Sequence, residues 1–296
     1  MSSQPTMVCF GEILWDILPS GRQAGGAPFN VAFHARQSGF DAVLISRVGE
    51  DELGIELLDF LREKGIPDET IQRGKTHLTG VVKANVSDRN EVTYQIVQPV
   101  AWDYIHWDEN LSQRVAAADF FLFGSLGARS PKSRETLYAL LNDARRKVFD
   151  INLRPPHYTR SIVEYLLQHA DIVKMNHHEL AEVTSWYEYP GDEETAMRHL
   201  ADRFGVQTVC VTRGENGACL WHNGQFWESP GLTVDVQDTI GAGDSFLAAL
   251  LYHLDRDPKE ALDIACATGA YVATQRGATP SYTDADIRKL MTVTAG

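Results

Sequence analysis

The stretch "DTIGAGDSF" at residues 238–246 joins a Gly-Ala-Gly turn and an aspartate to an apolar run, "LAALLYHL", with the look of a buried helix. Two chemistries fit these residue types at this spacing. Asp244 can cap the helix, because a carboxylate is among the best acceptors for the orphan N–H groups of a first turn. The alternative is an anion site, in which free N–H groups of Gly241, Ala242 and Gly243 and the positive end of the helix dipole gather negative charge. Asp244 would then face an incoming hydroxyl as general base, worth roughly 10²–10⁴ in rate. The turn would hold the phosphoryl group, each donor of such a hole being worth roughly 10²–10³. Phosphoryl transfer to an alcohol needs these parts, a metal and alignment.

Other candidates are less specific. "GRQAGGAP" (21–28) spaces Gly21 and Gly26 like a phosphate loop but lacks the Lys–Ser/Thr pair, and no GxGxxG follows the first strand. "TRGENG" (212–217) follows a strand and suits a nucleotide loop or a plain turn equally. The pair His177–His178 with Glu179 is not HExxH, and helix neighbours point about 100° apart, so no metal site is expected there. Cys9, Cys210, Cys219 and Cys266 stand far apart among apolar neighbours, which reads as buried reduced thiols of a cytoplasmic enzyme.

The elements that must position these residues alternate. "MVCFGEILWDIL" reads as a strand, "PFNVAFHARQSG" as a helix ended by Gly39, "AVLISRVG" as a strand, and "EDELGIELLDFLREKG" as a helix closed by Gly65. "DFFLFGSL", "KVFDINLRP", "DIVKMN" and "QTVCVTRG" are compact apolar strands separated by helix-like sequence. That pattern indicates an α/β fold whose largely parallel sheet is covered on both faces. Residues 78–98 break the rhythm as two strands around a polar turn, and Asn223–Gly224 marks a second hairpin. One domain over residues 1–296 is expected, with a small β lid from segments near 12–24 and 76–102.

Of 296 residues, 44% are hydrophobic and 23% charged, ordinary for a globular chain. A net charge of −13 argues against non-specific nucleic-acid binding. No apolar run approaches the ~18–20 residues of a membrane span, and the start lacks a secretion signal. Neither nucleic acid nor membrane is an expected partner, and the expected location is cytoplasmic.

"DTIGAGDSF" resembles the signature of the ribokinase-like (PfkB) carbohydrate kinases, written DTxGAGD. "GEILWD" (11–16), "GGAPFNVA" (25–32), "SRVGEDELG" (46–54), "DINLR" (150–154), "NHHE" (176–179), "TRGENGA" (212–218) and "RGATPS" (276–281) follow in the family's order, so the likeness covers essentially the whole chain. It implies a three-layer αβα sandwich with a β lid and ATP-dependent phosphorylation of a hydroxyl. Asp244 is then the base and Gly241, Ala242 and Gly243 the anion hole. Asp16 and Asn30 bind sugar hydroxyls beside the close backbone of Gly25 and Gly26. Asn176 and Glu179 order Mg²⁺ and phosphates through water, Thr212, Gly214 and Gly217 form the nucleotide loop, and Thr268 and Gly269 wall the adenine. A K⁺ beside the anion hole would match Asp238 and Ser281. The sequence by itself also allows the Asn176 pair as a plain helix start and the Thr268 helix as tight packing.

Several stretches look most like bacterial fructokinases. The segment after the lid hairpin, "QPVAWDYIHWDE", has no Arg or Lys to meet a substrate carboxylate, although Arg154 can supply one. Tyr94, Gln98 and Trp102 are candidates to pack on the sugar ring or, equally, on the core. D-Fructose is the expected acceptor, with 2-keto-3-deoxygluconate, ribose or a nucleoside as alternatives within the family. A non-catalytic sugar- or nucleotide-binding regulator is the alternative of another class. A homodimer through the lid is expected.

Overall fold

The opening run "MVCFGEILWDIL", expected as one strand, folds as two. β1 (Thr6–Phe10) and β2 (Leu14–Leu18) lie in different sheets, and the chain turns between them at Gly11, where φ is +145° and an added Cβ would meet the Pro28 ring at 2.8 Å. Continuous hydropathy hid the break, because both segments are largely buried. The computed structural model describes residues 4–18, 21–86, 92–189 and 191–293, with the backbone alone for 84–86, 92–94 and 293.

β3 (Gly21–Gly25) pairs antiparallel with β2, and α1 (Ala27–Ser38) starts directly after it and stops at Gly39 in the left-handed region, as expected. β4 (Asp41–Gly49) leads to α2 (Glu52–Glu63), whose cap Asp51 accepts from the Gly54 N–H at 2.8 Å. The same carboxylate accepts from the Thr79 N–H at 2.8 Å, tying that cap to the chain entering the small sheet. There follow β5 (Ile71–Gly74), β6 (Gly80–Val86) and β7 (Val92–Ile96).

The remainder alternates helix and strand. It runs α3 (Glu109–Ala117), β8 (Phe120–Gly124), α4 (Pro131–Leu141), β9 (Lys147–Asp150), α5 (Arg160–Gln168) and β10 (Ile172–Asn176). Then come α6 (His177–Ser185), α7 (Glu193–Phe204), β11 (Thr208–Thr212) and the hairpin β12 (Ala218–His222) and β13 (Gln225–Ser229). Asn223 and Gly224 turn that hairpin with φ of 49° and 82°, the positive values a two-residue turn requires. α8 (Ala242–His253), α9 (Pro258–Ala273) and α10 (Asp284–Val293) close the chain.

Among the described residues the strands form two sheets. The large one runs β13-β12-β11-β10-β9-β8-β1-β4-β5 and is parallel except at β12, which pairs antiparallel with both β11 and β13. The small one runs β3-β2-β6-β7. Each face of the large sheet buries its own apolar cluster, one against α1, α2, α8 and α9, the other against α3 to α7. This is the expected αβα sandwich with a small additional sheet. Among the described residues, no helix is long and apolar enough to cross a membrane. All four cysteines are buried and free, as their surroundings suggested.

Candidate active site

In an open parallel sheet, ligands collect beyond the carboxyl ends of the strands. Here β8, β9, β10 and β11 end at Gly124, Asp150, Asn176 and Thr212. A cavity of about 1000 Å³ opens over those ends, with the small sheet as its far wall through Asp16, Val82 and Gln95. A second cavity of about 750 Å³ adjoins it. Asn176, Thr212, Thr239 and Gly243 line both, so the two meet at the turn before α8.

Gly241 opens α8 with φ 81°, and a Cβ there would lie 2.3 Å from the Ala278 carbonyl oxygen. No side chain caps this helix. Asp244 sits in its first turn but does not cap it; its Oδ2 accepts from the Asn30 amide Nδ2 at 2.8 Å. The capping reading of this aspartate is thereby excluded. The first-turn amides, left without a side-chain partner, border the junction of the cavities. The Ala242 N–H makes a 3.3 Å bond to the Thr239 carbonyl, which makes it the weaker candidate donor of the three.

Electrostatics tune this carboxyl. Burial pushes Asp244 up to about 6, Asp150 adds to the rise, and Lys174, Asn30 and Arg154 oppose it. A carboxylate with that value is ionised at neutral pH yet basic enough to accept a proton, as a general base requires. Asp16, on β2, is also raised by burial to about 6. A Cβ at Gly25 would lie 2.3 Å from Asp16 Oδ2, so a side chain there would displace that carboxylate. Asp16, Gly26, Asn30, Gln98, Arg154, Gly241, Gly243 and Asp244 share the larger cavity. Gly214, Gly217, Ala242 and Gly269 line the smaller one.

Two sequence expectations need correction, and one falls outside the described residues. Trp102 does not reach the cavity: it is fully buried under the Arg129 guanidinium, 3.8 Å from its ring centroid. A run of aromatic and polar residues cannot distinguish a ring facing a ligand from one facing the core. Thr268 is buried too, its hydroxyl donating to the Ile264 carbonyl at 2.8 Å within α9. Glu179 accepts at 2.8 Å from both the Leu153 and Asn176 N–H groups, one on each carboxylate oxygen. The Tyr94 side chain lies outside the described residues.

Asn176 completes the reciprocal capping box with Glu179, its Oδ1 accepting from the N–H groups of His178 and Glu179 at 2.9 Å. With that oxygen doubly engaged, the free group of Asn176 is its amide donor, which suits a phosphate oxygen and not a cation. The pair therefore offers no free oxygen pair for direct coordination of Mg²⁺, while the expected contact through water needs only the remaining lone pairs of the Glu179 carboxylate. Among the described residues, no group of three His, Cys, Asp or Glu side chains is placed to hold a metal. Asp238 joins two loops, accepting from the N–H groups of Ile240 at 3.0 Å and Gly277 at 3.2 Å, and Ser281 is exposed.

Sequence reasoning passed over two residues in the same cavity. Glu12 follows the break at Gly11; it is 3% exposed, and its Oε1 accepts from the Ala27 N–H at 3.3 Å while Oε2 has no partner. Burial pushes it up to about 7. Lys174, in the middle of β10, donates to Asp150 Oδ1 at 3.1 Å. A lysine inside an apolar strand motif, "DIVKMN", was the available signal.

This geometry agrees with the family likeness. Residues 20–285 match the model of the pfkB family carbohydrate kinases. "Probable fructokinase-5" of Arabidopsis thaliana is 31% identical over 98% of this chain and 98% of its own. A fructokinase double mutant from Vibrio cholerae O395, in fructose, ADP and potassium ion bound form, superposes with TM-score 0.83 at 23% identity, over 98% of this chain and 99% of that one. The 2-dehydro-3-deoxygluconokinase of Thermotoga maritima does so with TM-score 0.85 at 20% identity, over 98% of both chains. The chain belongs to the pfkB family of carbohydrate kinases. It is an ATP-dependent sugar kinase.

Proposed function

We propose that this kinase transfers the γ-phosphoryl group of ATP to a primary hydroxyl of D-fructose, giving fructose 6-phosphate and ADP. The observation that carries the chemistry is the Asp244 carboxylate, bonded to Asn30, at the mouth of an uncapped helix between two adjoining cavities. The sugar occupies the larger cavity, with Asp16 accepting from its hydroxyls and the free Asn30 Oδ1 accepting another. The nucleotide occupies the smaller one over Thr212, Gly214, Gly217 and Gly269, with its terminal phosphate at the shared turn. Asp244 takes the hydroxyl proton, the oxygen attacks phosphorus in line, and the turn's N–H groups balance the charge on the transferred group.

Asn30 holds Asp244 by one oxygen, which leaves the other to meet the hydroxyl. Mg²⁺ would be held with the nucleotide phosphates near Asn176 and Glu179 through water, as is usual for this ion, and would supply neutralisation of phosphate charge. A monovalent cation near Asp238 and Ser281 is part of the same reading, supported by the potassium-bound relative. Activity in potassium buffer then exceeds that in a buffer with no small alkali cation. The small sheet acts as the lid and, in this reading, as the surface for a homodimer, which sedimentation analysis checks.

Fructose is favoured over a sugar acid by the segment that follows the lid hairpin, which brings no cation to the cavity. Arg154, which lines the larger cavity, remains as a candidate for a carboxylate. A panel of fructose, ribose, 2-keto-3-deoxygluconate and nucleosides, scored by ADP release, tests the assignment. Fructose is expected to give the highest kcat/KM; a clear preference for another acceptor would replace it.

A further inference from the structure

Lys174 stands where the strand pattern calls for an apolar residue. Ile172, two positions earlier on the same face of β10, belongs to the core beneath α8, as does Cys210, its register partner on β11. On the other side Lys174 pairs in register with Asp150, and the two side chains are 9% and 3% exposed. A buried ion pair contributes little net stability once desolvation is included. This one is also incompletely used. Among the described residues the ammonium makes one hydrogen bond, to Asp150 Oδ1, and Oδ2 of that buried carboxylate has no partner. The Nζ lies directly beneath the turn, 3.2 Å from where a Cβ on Gly243 would be, and the residue lines the larger cavity beside Asp244.

We propose that Lys174 is a further catalytic residue: its ammonium contacts the phosphoryl group at the 241–243 turn, and Asp150 holds it ready there. The inference rests on assigning that turn to the transferred phosphate. As the sugar oxygen forms its bond to phosphorus, its proton passes to Asp244. The bond from phosphorus to the ADP oxygen breaks, with the electron pair leaving on ADP. Lys174 keeps its proton throughout and supplies a fixed positive charge that, among the described residues, no other buried side chain brings to the turn. Burial pulls the ammonium's pKa down, but Asp150, Asp244 and Glu179 outweigh it and hold it above the ordinary value, so it stays charged.

The test is a cycle of Lys174→Met, Asp150→Asn and the double variant, with Asp244→Asn as reference and folding followed by circular dichroism. Lys174→Met is expected to lower kcat about 10²–10³-fold, the range for losing one transition-state donor, with the sugar KM within about threefold. The double variant leaves neither charge buried alone. It is expected to stay as slow as Lys174→Met, whereas a return to within about threefold of the wild-type kcat would reduce Lys174 to the counter-ion of Asp150 and overturn the proposal. Lys174→Gln, which keeps a donor for Asp150, gives the same decision if the methionine variants do not fold: low kcat supports the role and near-normal kcat ends it. Near-normal turnover in Asp244→Asn would instead refute the site reading beneath it.

Discussion

Asn30 and Asp244 are 214 positions apart, yet their 2.8 Å bond joins the first turn of α1 to the first turn of α8. Asp244→Asn is expected to lower kcat by about 10²–10⁴ with little change in sugar KM, measured by coupled ADP release. On the proposal that Asp244 is the base, which must be ionised, its rise by burial to about 6 predicts that kcat/KM climbs with pH through about 6 and levels off above it. Glu12 gives a stability counterpart. Its folded value of about 7 lies above the ordinary 4.5, so the folded state binds more protons between the two and stability falls as pH rises across that window. The shift corresponds to something on the order of 3 kcal/mol. Urea melts at pH 5 and pH 8 should show a smaller difference for Glu12→Gln than for the wild type. At this scale the sequence displayed Asp244 plainly, because a glycine turn at a helix start is a local pattern. It concealed Glu12 and Trp102, whose roles depend on which way a side chain faces across a sheet.

α6 and α8 begin in opposite ways. α6 satisfies its first-turn donors internally through Asn176 and Glu179, whereas α8 has no side-chain cap and offers its donors to the cavity. Asn176→Ala removes a cap and should cost about 1 kcal/mol, within a range of roughly 0.5–2, read as a lowered urea midpoint. Its effect on ATP KM should exceed its effect on sugar KM, since its free amide faces the shared end of the cavities. Gly241→Ala places a methyl against the Ala278 carbonyl oxygen in a backbone region that disfavours it. Lowered kcat with the fold retained, by circular dichroism, is the expected result. Helix ends and hairpins such as Asn223–Gly224 were legible, since turn chemistry is local. The division of the opening strand was not, because a buried strand in either sheet reads as the same apolar run and only Gly11 marks the bend.

Across the molecule, one short segment, from Thr6 to Leu18, connects the two sheets at the site: β1 feeds the large sheet, and β2 carries Asp16 into the small one. The layered architecture followed from alternating apolar strands and helices, while the identity of the acceptor did not, because it depends on how the small sheet sits over the cavity. The buried thiols offer a way to observe that cavity in solution. Cys266 lines the smaller cavity, and burial pushes it up to about 11, so at neutral pH it is both unionised and shielded. Its alkylation rate therefore reports how often the protein opens. An ATP analogue should slow labelling at Cys266, followed by mass spectrometry, more than it slows labelling at Cys219, which lies in the core on the opposite face of the large sheet. Such protection would make Cys266 an intrinsic probe of nucleotide occupancy that needs no engineered label and no turnover.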